Sequence, residues 1–437
     1  MNLSDRDTTR ARRVIVASVI GNVLEWYDFF LYGTAAALVF GELFFPIGKD
    51  PLTGTLASFA GFAVGFAARP LGAFLFGMIG DRVGRRVALV ATLSIMGAAT
   101  FLIGLLPTYA QVGFWAPALL VVLRLLQGVA AGGEWGGAVL LISENVSTEK
   151  RGRLSAFSQI GVTGGFVLSS TAFLLIQQLP REDLLNWGWR IPFLVSILIF
   201  AVGAYVRNRL PESDEFVRAK TRTHSDRLPI SEAIRRYPRN FLVGMGLRIV
   251  ESGASYIFLA FSLSYGKYIG APGSVMLAGV TISMLLQLIT VPAFGALSDK
   301  LGCKIVYIAG SVGVVLVAFP FFWLIGTKQP YLIMLAFFLA NSICHAALIG
   351  VQPSFYTQLF GAEVRYSGIS VGREIASVIS GGFAPLIATA LLSSYASVSP
   401  VSVYLIILAA ITIAAVLAAP RLQDDRTSSS QPQTVAL

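Results

Sequence analysis

The decapeptide GMIGDRVGRR at residues 77–86 recurs as GALSDKLGCK at residues 295–304, so Asp81 and Asp299 stand half a chain length apart. Each copy lies between two apolar stretches, and both share the pattern Gly-x-x-x-Asp-Arg/Lys-x-Gly. One copy alone reads as an ordinary basic turn between helices. Two copies at half-length spacing predict a chain assembled from two parallel repeats. A weaker echo pairs STEKRGRLS (147–155) with GAEVRYSGIS (361–370), each opening a further apolar stretch.

Composition says what those stretches are. Hydrophobic residues make up 55% of the 437 and charged residues 13%, with a mean hydropathy of +0.72, far from the globular average. A bilayer core of about 30 Å takes roughly 20 apolar residues per helix. Twelve such stretches run from 14–40 to 400–419. Helices are the expected spanning element, because lipid leaves no partner for free backbone groups and the alternation of a barrel strand is missing. The first stretch follows four arginines but is too long, and lacks a small-residue cleavage site, for a signal peptide. The longest polar segment falls near the midpoint. The expected organisation is a six-helix half over 1–208, a cytoplasmic loop over 209–239, a second six-helix half over 240–420 and a disordered tail over 421–437.

The net charge of +10 from 33 Lys and Arg would point to nucleic acid in a soluble protein. Here the basic residues gather in alternate loops, on the side of the N-terminus, which places both termini in the cytoplasm. No interleaving of aromatic and basic residues marks a nucleic-acid surface. Cys303 and Cys344 have neither disulfide nor metal-ligand spacing. The sequon at Asn145 falls in an expected cytoplasmic loop, and no Gly-rich loop of the ATP-binding type is present. A membrane-embedded enzyme would need a nucleophile–base or metal constellation, and none stands out.

The repeated decapeptide resembles the signature of the major facilitator superfamily, in the loop between its second and third helices. GNVLEWYDFFLYG (21–33), RPLGAFLFGMIGDRVGRR (69–86) and RLLQGVAAGGEWGGAVLLISE (124–144) resemble its metabolite:proton symporter branch, which includes shikimate, 2-oxoglutarate, citrate and proline/betaine carriers. The resemblance covers essentially the whole chain. It implies an all-α membrane protein of twelve transmembrane helices in two pseudo-symmetric halves, set in a bacterial cytoplasmic (inner) membrane. Cys303 departs from the pattern, where a basic residue is usual, which implies a less firmly held second gate.

Ionisable groups inside spans cost roughly 2.5–3.5 kcal/mol each on insertion scales, so each needs a partner or a task. They are Glu25 and Asp28 in helix 1, Arg69 in helix 2, Arg124 and Glu134 in helix 4, Arg248 and Glu251 in helix 7, His345 in helix 10, and Arg373 and Glu374 in helix 11. The acids outnumber the arginines by one, which leaves a group to hold a proton. At 100° per residue Asn22, Glu25, Asp28 and Tyr32 share one stripe, expected to face inward together. Glu25 and Asp28 lie about 17–22 Å along the helix, beyond snorkelling reach. Neighbouring carboxylates repel when both are ionised and burial penalises the charged form, so Asp28 is read as the principal proton carrier. A permanent ion pair is the competing reading of Asp28, and a fixed interhelix hydrogen bond that of Glu25.

Arg124, one turn before Gln127 on a glycine-rich face, is the expected partner of Asp28. The resemblance implies an exchange in which protonating Asp28 frees Arg124. Glu134 reads as a second proton site, a substrate contact or an acceptor orienting an arginine. Arg248 and Arg373 stand at similar depth, about 12 Å into their helices. Their planar forks suit the carboxylate of one shared anion, although Glu251 at i+3 makes an intrahelical pair the competing reading of Arg248. Arg69 extends this site or braces its helix. Tyr32, Gln127, Glu251 and Tyr256 complete the expected substrate contacts, with Trp26, Trp135 and Tyr356 as possible walls, and His345 is read as a satisfied polar residue.

Gly77, Asp81, Arg82, Gly84, Arg85 and Arg86, with Asp299, Lys300 and Gly302, sit at helix ends and read as gate parts. Carboxylates there accept from helix N-termini and nearby arginines, holding one closed arrangement. The chain is expected to be a monomeric secondary transporter, without metal or cofactor, that takes up a small organic acid (shikimate-like, aromatic, or a di- or tricarboxylate) together with protons. The alternative is a zwitterion such as proline or betaine. Against it, the tail RLQDDRTSSSQPQTVAL lacks the coiled coil expected of an osmosensory relative.

Overall fold

The computed structural model describes residues 19, 22–23, 26–46, 51–82, 85–132, 151–208, 235, 237–359 and 365–420. Twelve helical segments cross the molecule, and no strand occurs among the described residues. They are α1 (26–43), α2 (Pro51–Arg82), α3 (Arg85–Leu105), α4 (Trp115–Ala131), α5 (Arg151–Ile176), α6 (Ile191–Asn208), α7 (Pro238–Ile269), α8 (Gly273–Leu301), α9 (Cys303–Gly326), α10 (Pro330–Leu359), α11 (365–395) and α12 (Ser399–Ala418). Proline at the first helical position opens α2, α7 and α10, where its missing N–H costs no hydrogen bond. Gly270 (φ +70°) ends α7 and Gly302 (φ +90°) turns the chain from α8 into α9, conformations that a side chain would strain. The helices expose large apolar side chains such as Leu175, Leu198, Leu316 and Trp323 outward, as lipid contact requires.

Within each half the helices pack closely, α2 on α4 and α3 on α6 in the first, α7 and α9 on α12 in the second. The α2–α4 contact depends on glycine. A Cβ at Gly128 would lie 1.9 Å from the Gly65 carbonyl oxygen, and one at Gly72 would lie 1.8 Å from that of Val129. Small residues at these positions let the two backbones touch, which is where packing energy between helices in lipid arises.

Two seams join the halves. The α5–α8 contact is the most extensive helix pair among the described residues, and α2 against α11 is its counterpart across the repeat. The decapeptides end α2 and α8, and the weaker echoes begin α5 and α11, so each seam joins one motif of each kind. At the α8–α5 seam the Asp299 carboxylate accepts from the backbone N–H groups of Gly152 (2.7 Å) and Arg153 (3.0 Å) in the first turn of α5. A carboxylate from one half thus caps the positive end of a helix in the other. A Cβ on Gly152 would lie 2.4 Å from that carboxylate. Lys300 is exposed. Cys303 is buried beside Ser354 and Gln358. The side chains of Asp81, Arg82, Arg85 and Arg86 and all of Gly84 lie outside the described residues, while Gly77 is within α2.

At the opposite end Glu42, at the end of α1, binds Lys267 of α7 at 2.5 Å across the halves and Arg181 of its own half at 2.6 Å. The Lys267 ammonium also reaches the Leu38 carbonyl at 3.3 Å. Both ends are therefore clasped. Burial alone would raise the Glu42 carboxyl, but hydrogen bonds and charge from Lys267 and Arg181 outweigh it and hold it below its ordinary range. The three side chains of the clasp are each about half exposed, so solvent screening limits it to ~1 kcal/mol or less.

Three outcomes follow from these contacts. Gly128→Val overpacks the α2–α4 seam by about 1–3 kcal/mol or more and lowers the melting temperature of purified protein by several degrees, whereas Leu126→Ala on the exposed face leaves it near wild type. Asp299→Ala removes a cap worth about 1 kcal/mol, so spin-label distances across the α5–α8 end shift toward an open population by roughly fivefold; an unchanged distribution would contradict the clasp. Because the Glu42 carboxyl is depressed, its clasp holds as pH falls through the ordinary carboxylate value of about 4.3. Labels across the α1–α7 end should separate only below that pH, and at neutral pH in Glu42→Gln.

Candidate functional site

Three groups of buried charge occupy the middle of the bundle. The first lies inside the N-terminal half, where α1, α3 and α4 meet. Asp28 is fully buried, and its carboxylate accepts from the Thr100 hydroxyl and, at 2.9 Å, from the Gln127 amide nitrogen. The Gln127 amide oxygen accepts from Arg124 at 2.8 Å. Arg124 therefore reaches Asp28 through Gln127, which corrects the expected direct pair: one turn of helix separates the two side chains on α4, and the shorter amide fits between carboxylate and guanidinium. The guanidinium rests on the Tyr32 ring, 3.9 Å from its centroid, with Phe29 and Phe62 flanking it. Its Nε and Nη2 find no hydrogen-bond partner among the described residues.

The helix-1 stripe does not act as one surface. All three stay within their own half but meet different helices: Asn22 donates to the Ser158 carbonyl of α5, Asp28 meets α3 and α4, and Tyr32 meets α2. The cavity-facing residues of α1 are Trp26 and Phe30, on the face opposite Asp28. Periodicity identified which residues share a stripe, and only packing decides what the stripe meets. Glu25 and Glu134, together with Trp135, lie outside the described residues.

The second group bridges the halves. Glu374 of α11 forms ion pairs with Arg69 of α2 at 2.9 Å and with its own neighbour Arg373 at 2.7 Å. Arg69 also lies over the Phe29 ring, 4.8 Å from its centroid. It braces the α2–α11 seam, the second of its two expected readings, and does not line the central cavity of this structure, nor do Tyr32 and Gln127. Glu374 on the facing helix holds the Arg69 side chain there.

The third group belongs to the C-terminal half. Arg248 pairs with Glu251 one turn on and donates to Ser377 at 2.8 Å. Gln352 donates to Glu251 at 3.2 Å and to Tyr307 at 3.3 Å. Glu251 Oε1 faces His345 Nε2 at 3.7 Å. Tyr356 is buried in the same half, its hydroxyl donating to the Gly244 carbonyl at 2.8 Å.

Between the halves lies a cavity with about 20 Å³ of free space, room for roughly one water molecule. Arg248, Glu251, Tyr256 and Arg373 border it, as does His345. Four of the residues that border it carry a buried polar atom with no hydrogen-bond partner among the described residues: Trp26 Nε1, Ser252 Oγ, Tyr256 Oη and His345 Nε2. Leaving a buried donor unpaired costs about 1–3 kcal/mol, which marks the surroundings of this cavity as a candidate binding site. With both ends clasped, the space is too small for an organic acid and must widen when a ligand enters. Gln159 and Thr163 of α5 and Gln287 of α8 also line it. An inventory of ionisable residues passed over them, although uncharged amides within apolar spans carry the same signal.

Four helices are interrupted by π-helical turns, at Ala36–Phe40, Ile257–Phe261, Phe338–His345 and Val378–Gly382. Such turns occur often at functional sites, and three of the four lie on the helices that carry the C-terminal charges. No residue pattern in the sequence marks them.

Comparison with known proteins agrees with this architecture. The family model described as "Sugar (and other) transporter" matches residues 14–240, and that described as "MFS/sugar transport protein" matches residues 137–433. The chain is 43% identical to the shikimate transporter of Escherichia coli over 392 residues, 89% of each chain. It is 33% identical to the proline/betaine transporter of the same organism over 424 residues, 93% of this chain and 82% of the other. In fold it is similar to the partially occluded, inward-open xylose transporter XylE from E. coli, with a TM-score of 0.74 at 15% identity over 98% of this chain and 99% of that one. These families and relatives are transporters, not enzymes. The twelve-helix membrane chain belongs to the major facilitator superfamily of transporters.

Proposed function

We propose that the chain is a monomeric, proton-coupled symporter that takes up a small organic acid by alternating access across a bacterial cytoplasmic membrane, with both termini in the cytoplasm. The observation that carries this reading is the central cavity, bordered by Arg248, Arg373 and four residues with an unpartnered polar atom. A substrate carboxylate suits guanidinium forks and exchanges for part of the pairing that Glu251 and Glu374 give Arg248 and Arg373 in this state. The relationship to the E. coli shikimate transporter supports an acid in the same direction. The cavity is enclosed by one chain, which supports a monomer as the working unit.

Proton coupling rests on the Asp28 group, which is walled off from the cavity. Protonating Asp28 removes its demand for the Gln127 amide, so Gln127 can turn and release Arg124. A change on α1 then reaches α4 with no ion other than the proton. Neither metal nor cofactor is needed for such a cycle. The Asp299 clasp belongs to the cytoplasmic gate, where the sequence repeat also assigns Asp81, and the Glu42 clasp to the external one, and the two halves rock about the seams between them.

A zwitterion is the second reading, favoured by Glu251 Oε1 at the cavity edge and by the proline/betaine relative. Uptake into proteoliposomes of a labelled panel (shikimate, protocatechuate, 2-oxoglutarate, citrate, proline and betaine), with and without an inward proton gradient, tests the function. One acid should accumulate only with the gradient; accumulation of proline or betaine alone would replace the acid reading, and gradient-independent equilibration would sink symport. Asp28→Asn should lose at least tenfold in gradient-driven accumulation while retaining exchange between labelled and unlabelled substrate. Loss of both would show that Asp28 only holds the fold.

A further inference from the structure

His345 is buried, with 3% of its surface exposed, and its ring stands on the wall of the central cavity. Its protonation pattern follows from its neighbours. The Gln287 amide nitrogen lies 2.7 Å from the backbone carbonyl of Asn341, and a carbonyl can only accept, so that end of the amide is the NH₂ group. The same nitrogen lies 3.0 Å from His345 Nδ1. Nδ1 must therefore accept, and the ring proton sits on Nε2. Gln287 thus fixes the tautomer of His345 that carries its N–H on Nε2, the nitrogen on the Glu251 side.

Glu251 Oε1, 3.7 Å from that nitrogen, is beyond hydrogen-bond reach of it. The other oxygen, Oε2, is held by Arg248 and Gln352. A donor and an acceptor at this separation are matched by a group that accepts and donates at once, seated beside them at about 2.8 Å from each. A hydroxyl does both; a carboxylate or a methyl does not.

We propose that His345 and Glu251 form a hydroxyl-recognition subsite, and that the transported acid is a hydroxylated carboxylate whose hydroxyl accepts from His345 Nε2 and donates to Glu251 Oε1. His345 is then a specificity-determining contact and not a proton carrier, and Gln287 is the residue that positions its proton. This inference rests on the organic-acid reading of the same site.

Competition against uptake of the labelled acid separates the two. The probes are matched pairs with and without hydroxyl groups: shikimate and 1-cyclohexenecarboxylate, malate and succinate, citrate and propane-1,2,3-tricarboxylate. In the wild-type protein at least one hydroxylated member should compete about 10–100-fold better than its partner, the range expected for hydrogen bonds that include one to a charged group. Its O-methyl ether, which accepts but cannot donate, should lose most of that advantage. In His345→Phe the hydroxylated acid should fall to within about threefold of its deoxy partner. Gln287→Leu should narrow the same preference. Acids that compete without regard to hydroxyl groups, or a preference that survives in His345→Phe, would overturn the subsite alone. Absence of uptake of any labelled acid of the panel would overturn the acid reading and the subsite with it. The ether and deoxy comparisons need only wild-type protein, so they decide the matter even if His345→Phe does not fold.

Discussion

Burying ionised groups in a membrane-spanning bundle is the constraint on which this structure turns. No charge can sit against lipid, and each must find a partner or a reason to change state. The chain distributes its buried charges into three groups with different tasks. The Asp28 group is closed within one half and linked through an amide. The Arg69–Glu374–Arg373 group spans the halves. The Arg248–Glu251 group faces the cavity with part of its hydrogen-bonding capacity unused. Each group joins helices that packing alone would leave free to slide, and each supplies something that a substrate or a proton can alter.

The arrangement connects energetics to motion. Arg69 and Glu374 pair across the α2–α11 seam, and Glu374 also holds Arg373 on the cavity wall, so the seam and the cavity share one charge cluster. The clasps at the two ends are small by comparison, a helix cap at Asp299 and a screened three-residue cluster at Glu42. Weak clasps suit a transporter, because each must open in every cycle and a few kcal/mol would freeze it. Glycine contacts at Gly128 and Gly72 do the opposite inside the first half, where rigidity lets the half move as one body.

Much of this was legible in the sequence. The decapeptide repeat, the twelve apolar stretches and the charged residues within them fixed the fold class and led to Arg248, Glu251, Tyr256 and Arg373, all on the cavity wall. What escaped was orientation. Helical periodicity placed Asp28 and Tyr32 on one stripe, but whether that stripe meets the cavity or the bundle depends on how α1 is rotated in the packed molecule. The intervening Gln127, the Arg69–Glu374 bridge and the cavity role of His345 were hidden for the same reason. Each depends on which side chains meet between helices far apart in sequence. The π-helical turns, which re-aim residues along α7, α10 and α11, leave no periodic trace.

The central claim is that a proton travels with the substrate, and its most direct test is the proton itself. A pH-sensitive dye sealed inside proteoliposomes, at a pH well above the pKa of the transported acid and with no gradient imposed, reports lumenal acidification when that acid is added outside. The account predicts acidification that follows substrate entry and disappears in Asp28→Asn. Entry of the labelled acid with the lumenal pH unchanged would contradict it.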